Sequence, residues 1–350
     1  MDKQVRKRPF SIEICSNKQV DKLIRFIDLH WKKDHIFTKS RELFDWQHKT
    51  NDETYNFIIS QDETGEILGI FGFIPLSHFS KDLLCHNQSW MALWKVRDDC
   101  PHPGLGVGML NYFIKIKNFD TVCAVGLSEE VKPLYKTLKY NLGSLKHYVV
   151  FNRKVTSYKF IEPPELTLYK CRPSSFKIDQ MNEQSIRGLT KEEVDRLFFR
   201  QPIKDAEYII NRFLKHPIYK YKVFSIKSEE NNLLTIFTLR FINIKETMVA
   251  RVVDFQGDSL LSPQFNSILL DWIAKKRIEY MDVMFYEDHW HLSDESCFFD
   301  VADYKELIVP NYFEPLVMEN RPLDFAYKSN KEGIFSIFKG DSDQDRPNSI

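Results

Sequence analysis

Between Trp90 and Leu110 an apolar strand pattern runs through a tight turn into an amphipathic helix. Glycines stand at alternate positions, Gly104, Gly106 and Gly108, and apolar helix positions follow at Met109, Leu110, Phe113 and Ile114. Glycine lets a backbone approach a ligand closely, and a helix start presents N–H groups without intrahelical partners. Gly104, Leu105, Gly106, Val107 and Gly108 therefore form a candidate seat for a phosphate or diphosphate. The same spacing also suits a turn that only packs a helix onto a sheet.

The chain has 350 residues, enough for two domains and a large core. Lys plus Arg balance Asp plus Glu at 49 each, so no basic bias points to nucleic acid. Arg6-Lys7-Arg8 reads as a solvated edge. No apolar run is long enough to span a membrane, and there is no secretory segment, so no membrane partner is expected. Cys15, Cys85, Cys100, Cys123, Cys171 and Cys297 are scattered without a CxxC pair. A reducing cytoplasm is the expected setting, with no metal. The 28 Phe and 15 Tyr suit large cores or apolar clefts.

One layout occurs twice. In the first half, Ser11–Cys15, Tyr55–Ser60, Ile67–Ile74, Trp90–Val96, Val122–Leu127 and His147–Asn152 read as strands. Val20–Trp31, Arg41–His48, the segment after Gly108 and Val131–Tyr140 read as helices. Residues 156–175, with Pro163, Pro164 and Pro173, read as a linker. Strands then recur at Tyr221–Ile226, Leu233–Phe241, Thr247–Phe255 and Met281–Phe285, with a helix ending at Arg277. Leu68-Gly-Ile-Phe71 aligns with Leu234-Thr-Ile-Phe237. The second copy lacks the glycine seat: Asp254-Phe-Gln-Gly257-Asp258 keeps one glycine and adds acids. The expected division is 1–155, a linker at 156–175, a degenerate copy at 176–339, and a polar, frayed tail at 340–350.

Strand order and glycine spacing resemble the GNAT superfamily of acyl-CoA N-acyltransferases. Its phosphate motif is Arg/Gln-x-x-Gly-x-Gly/Ala, and this chain has Pro103-Gly-Leu-Gly-Val-Gly108. A Leu-Tyr-x-x-x-Gly-Phe pattern after the fifth strand is matched by Leu134-Tyr135-Lys-Thr-Leu-Lys-Tyr140. Pro103 and Lys139 depart from the two patterns. His30-Trp31-Lys-Lys-Asp-His35, Leu43-Phe-Asp-Trp-Gln47, Trp94-Lys-Val-Arg-Asp98 and Pro310-Asn-Tyr-Phe-Glu-Pro315 are similar to sugar N-acyltransferases of bacterial surface-polysaccharide (O-antigen, lipopolysaccharide) pathways. The resemblance implies an α/β fold with mixed sheets, built as two tandem GNAT-like domains of which the second is degenerate. It also implies acyl-CoA as cosubstrate. The implied acceptor is a nucleotide-linked amino sugar, such as a dTDP-linked 3-amino-3,6-dideoxyhexose. The acyl group is acetyl or a larger one such as 3-hydroxybutanoyl, and the oligomeric state stays open.

The same resemblance assigns roles. A backbone N–H near Val96 or Arg97 contacts the thioester oxygen. Tyr135 donates a proton to the leaving sulfur. Asp98, Asp99 or His35 accepts the amine proton. Trp46, Trp90 and Trp94 either wall the sugar or thymine or pack in cores. Arg97 and the Tyr286–His291 loop, with Glu287 and His289, are candidates for the acceptor cleft. His289 and His291 form an HxH pair with no evident third ligand. An aminoacyl transferase of the tandem-GNAT type and a non-catalytic binding protein are the alternatives.

Overall fold

A computed structural model describes residues 9–165 and 175–348. Arg6-Lys7-Arg8 and residues 166–174 of the expected linker, Cys171 and Pro173 among them, lie outside the described residues. The first half contributes β1 (Phe10–Ser16), α1 (Val20–Phe26), α2 (Ile36–Lys39), α3 (Arg41–His48), β2 (Thr54–Asp62), β3 (Ile67–Pro75), β4 (Gln88–Val96), α4 (Leu105–Lys117), β5 (Thr121–Val125), α5 (Lys132–Thr137), β6 (Asn141–Ser144) and β7 (Lys146–Phe151). The second contributes β8 (Lys177–Met181), α6 (Glu183–Arg187), α7 (Lys191–Leu197), α8 (Ala206–Ile209), β9 (Tyr221–Lys227), β10 (Leu233–Ile244), β11 (Thr247–Gly257), α9 (Asn266–Lys276) and β12 (Tyr280–Glu287). Beyond these come β13 (Phe299–Asp300), β14 (Tyr312–Phe313), β15 (Leu316–Val317), β16 (Asp324–Ser329) and β17 (Ser336–Phe338).

The repeat is structural. One sheet runs β1-β2-β3-β4-β5-β16-β6 and the other β8-β9-β10-β11-β12-β7-β13. In each, the fourth and fifth strands of the copy run parallel. The connections are α4 and α9, because parallel neighbours need a long crossover. Leu105, Met109, Leu110 and Phe113 are buried on one side of α4, which seats it on β3 and β4.

The sheets exchange strands, so the division expected near residue 155 does not separate them. β7, from the first half, pairs antiparallel with β12. β16, from the second, pairs antiparallel with β5. Each sheet is completed by the other half's chain, and the apolar cores cross the nominal boundary.

The tail expected to fray is buried instead over its described residues, with 349–350 lying outside them. Asp341, Ser342, Asp343 and Asp345 are at most 3% exposed. Asp341 pairs with Lys204 at 2.7 Å and Asp345 with Arg240 at 3.2 Å. Tyr221 donates to Asp345 at 2.6 Å, and Arg212 donates to the carbonyls of Gly340 and Ser342. Polar composition misleads here because Asp341 and Asp345 find buried cations from a distant part of the chain, while Asp343 is held by Gln344 and Arg346 within the tail.

Candidate active site

The site begins with an irregularity in β4. Phe71 faces Trp94 and Phe73 faces Met91, so Ala92 and Leu93 together oppose Gly72. This is a β-bulge, which bends a strand and re-aims its groups. The β4–β5 ladder ends at the same place, with Met91 against Ala124. Beyond Met91 the two strands part.

Past the bulge, β4 keeps β3 on one edge only. Arg97 N–H donates to Leu68 O at 2.9 Å, and Gly69 faces Val96. Paired residues of an antiparallel ladder alternate between bonded and non-bonded pairs. Trp94 and Val96 therefore aim their N–H and C=O groups away from β3, into the gap that β5 has left. Of the two residues expected to meet the thioester oxygen, Arg97 has its N–H committed to Leu68, while Val96 keeps a free one.

At the far end of the gap stands the start of α4. Gly104 is its N-cap with φ +80°, a left-handed conformation that favours glycine. No side chain caps the helix and its first turn holds no acid. Gly108 N–H bonds to Gly104 O and Leu105 N–H to His102 O, which leaves Gly106 and Val107 N–H without intrahelical acceptors. A Cβ on Gly104 would meet nothing within 4 Å. One on Gly106 would lie 3.3 Å from Trp94 Nε1 and 3.5 Å from Val96, so that glycine also serves close packing of helix on strand.

On the other side of the parting lies a cavity of about 550 Å³. Trp31, Lys32 and His35 line it from one side, and the bulge residues Ala92 and Leu93 with Val125–Leu127 from beneath. The segment from Tyr312 to Leu323 and the buried tail close it. Lys32, Arg321 and Arg346 face one acid, Asp343, so the lining is net basic.

His35 is fully buried and both ring nitrogens are engaged. Nδ1 accepts from Phe37 N–H at 3.2 Å, capping α2, and Nε2 lies 2.9 Å from Arg346 Nη2. Burial, aided by Arg346 and Lys32, lowers its pKa to about 2. A ring so engaged has no free lone pair for an amine, so its expected role as base does not fit. Asp98 does not line the cavity either: it is exposed at the α4 end of the gap and pairs with Lys95 at 2.6 Å. Asp99 pairs with Arg97 at 2.6 Å on the same surface.

Tyr135 lies under the parting, 2% exposed, and its hydroxyl donates to Met91 Sδ at 3.6 Å. Burial raises its pKa, so the phenol stays protonated. Trp94 packs edge-on to Phe71 and Tyr135 beneath α4. Trp46 is wedged between the halves against Phe79 and His216, with Arg212 over its ring. Trp90 is core. None of the three tryptophans lines the cavity. Glu287 is ion-paired with Arg200, and His289 stands in a turn with φ +60°; both are away from the cavity. Trp31, Tyr312, Arg321, Asp343 and Arg346 were missed as site residues. Trp31 and Tyr312 lay within segments already singled out, but nothing in the polar tail marked Asp343 or Arg346.

The second copy repeats the parting but fills it. The β11–β12 ladder ends at Val252 against Val283. Immediately beyond, β17 pairs with β12, Lys339 N–H donates to Met284 O and Gly340 N–H to Val253 O. The chain's own backbone occupies the slot that stays open in the first copy. Among the described residues no group of three His, Cys, Asp or Glu is placed to hold a metal, and no helix is long and apolar enough to cross a membrane.

The chain shares its fold with solved structures. It superposes on a GCN5-related N-acetyltransferase from Anabaena variabilis with TM-score 0.54 and 11% identity, covering 91% of this chain and 72% of that one. The fold is that of the GCN5-related N-acetyltransferases. A protein of unknown function from Enterococcus faecalis, described as a probable N-acyltransferase, gives TM-score 0.52 at 8% identity over 91% of this chain and 72% of that one. No protein-family model and no curated protein sequence matches the chain.

Proposed function

We propose that the protein is an acyl-CoA-dependent N-acyltransferase acting on the amine of a nucleotide-linked deoxysugar, such as a dTDP-linked 3-amino-3,6-dideoxyhexose. The observation that carries this reading is the alignment of three features along one gap: an uncapped helix start, an open strand edge, and a bulge opening on a cavity. CoA presents groups in the same order. Its diphosphate suits the N–H groups of Gly106 and Val107. The amides of its pantetheine arm suit the outward N–H and C=O groups of Trp94 and Val96. Its thioester then reaches the bulge at Ala92 and Leu93, so the developing oxyanion meets a backbone N–H there, and Val96, expected to meet the thioester oxygen, serves the pantetheine arm instead.

The neutral acceptor amine, held in the basic cavity, attacks the thioester carbon. A proton leaves nitrogen as the C–N bond forms, and the C–S bond breaks. Tyr135 donates its proton to the departing sulfur. Its present acceptor is itself a sulfur, a weak acceptor, so exchanging Met91 for CoA costs little. The products are an amide and free CoA, and solvent returns the proton to Tyr135. A basic cavity suits the diphosphate of a nucleotide sugar. Both substrates are cytoplasmic metabolites, which sets the location.

Calorimetry with acetyl-CoA tests the first half of this reading, and mass spectrometry of dTDP- and UDP-linked amino sugars incubated with several acyl-CoAs tests the second. Micromolar CoA binding and an acyl mass added to one sugar are expected. Failure to bind acetyl-CoA would remove the proposal.

A further inference from the structure

We propose that Asp343 is the catalytic base, taking the proton from the acceptor nitrogen as the amide forms. The assignment rests on the acyltransfer reading above and supplies what that reading lacks, since His35 is engaged at both nitrogens and Asp98 lies outside the cavity. Among the described residues Asp343 is the one carboxylate lining the cavity.

Its neighbours fix its place. Ser342 Oγ donates to Met91 O at 3.1 Å, on the last residue of β4 still paired with β5. The side chain of Gln344 packs against Gly126, just past the end of β5, where an added Cβ would come within 2.6 Å of it. Residues 342 and 344 thus straddle the parting of the two strands, and Asp343 sits between them, over the point where a thioester threaded along the gap would emerge. The Asp343 side chain is 5% exposed and accepts from Gln344 at 3.0 Å; Arg346 lies 3.5 Å away. A carboxylate has about four lone-pair positions, so capacity remains for a nitrogen-bound proton.

The chemistry balances without a further reactant. Nitrogen attacks the carbonyl carbon, and the resulting N–H, made acidic by its new bond, passes its proton to Asp343. The C–S bond breaks as the oxyanion collapses, sulfur takes the Tyr135 proton, and Asp343 later releases its proton to water. Arg346 is a positioning residue here: it donates to Asp343 O at 3.1 Å and bridges the tail to His35.

Asp343→Asn and Asp343→Ala in the full chain test the assignment, with acetyl-CoA affinity measured alongside turnover. Asp343→Asn is expected to lower kcat by about 10²-fold or more, the usual range for a lost general base, with CoA affinity unchanged. Millimolar formate, a small carboxylate that fits the space vacated in Asp343→Ala, should restore part of the rate. Turnover of Asp343→Asn within about threefold of the unsubstituted protein would overturn the assignment. So would loss of CoA affinity in both variants, which marks a structural role, or a formate-insensitive Asp343→Ala. If the unsubstituted chain binds no acetyl-CoA, the acyltransfer reading fails first, and Asp343 falls with it.

Discussion

Acidification should destabilise this protein through its buried histidines, even though one carboxylate, Asp341, takes up its proton in the same range. His35 and His216 are buried, fully and 97% respectively by their 0% and 3% exposures. Burial, with Arg346 beside His35 and Arg212 beside His216, lowers their pKa values to about 2 and about 3. Both lie below the ordinary 6.5, so between those limits the unfolded chain binds more protons, and stability is lost as pH falls through 6.5. Going from pH 7 to pH 5 costs about 2 kcal/mol for each, about 4 in all. Asp341, pushed up to about 6 chiefly by burial, opposes them and returns about 1 kcal/mol. His48 and His78, lowered chiefly by burial, add to the loss. A net loss of about 3 kcal/mol is large against a total of about 5–15. Urea unfolding followed by tryptophan fluorescence should show the midpoint falling by about 1 M, for a slope near 3 kcal/mol/M. An equal or higher midpoint at pH 5 would refute the argument, since the histidines would then be open to water in the folded chain.

Three other perturbations separate the roles drawn above. Val107→Asp, on the exposed side of the first turn of α4, should stabilise the helix by about 0.3–1 kcal/mol through its dipole yet weaken CoA binding tenfold or more; calorimetry and thermal melts must move in opposite senses. Tyr135→Phe should lower kcat by about tenfold or more and change the KM for acyl-CoA far less, as the proposed proton transfer to the leaving sulfur requires; near-normal turnover would return it to a packing role. Deleting residues 341–350 takes Asp341 from Lys204, which keeps Asp254, and Asp345 from Arg240, which keeps Glu314, so neither cation is left bare; the truncated chain should still melt lower in a thermal scan, because each buried cation loses one of its two carboxylates.

How much of this was readable beforehand depended on whether the cause was local. Arg41–His48 and Leu105–Lys117 form where their apolar spacing places helices, and the paired hairpins announce the repeat. Strand exchange was not readable. β7 carries an ordinary apolar strand pattern, and nothing in Lys146–Phe151 says that its partner is Tyr280–Phe285 rather than a neighbour in its own half. The tail failed for the same reason: Asp341 and Asp345 read as solvated until Lys204 and Arg240 are brought to them. The tryptophans were ambiguous in kind, since the same ring suits a cleft wall or a core, and Trp46 and Trp94 went to packing.

The duplicated layout explains why one copy keeps an open slot. A bulge beside a terminated parallel ladder exposes backbone N–H and C=O groups, and such groups cost free energy unless something bonds them. In the second copy that something is β17 and the two residues after it, bonded to Met284 and Val253. The slot is thereby closed to any ligand, and the glycine seat at its far end loses its purpose, which accounts for Asp258 and the single glycine there. In the first copy the tail touches Met91 through a side chain, and among the described residues no strand pairs with the edge of Trp94 and Val96 that faces away from β3. An edge left open beside a copy whose equivalent edge is filled is the feature most simply explained by a ligand that takes the strand's place, and a chain of amides ending in a thioester meets that requirement.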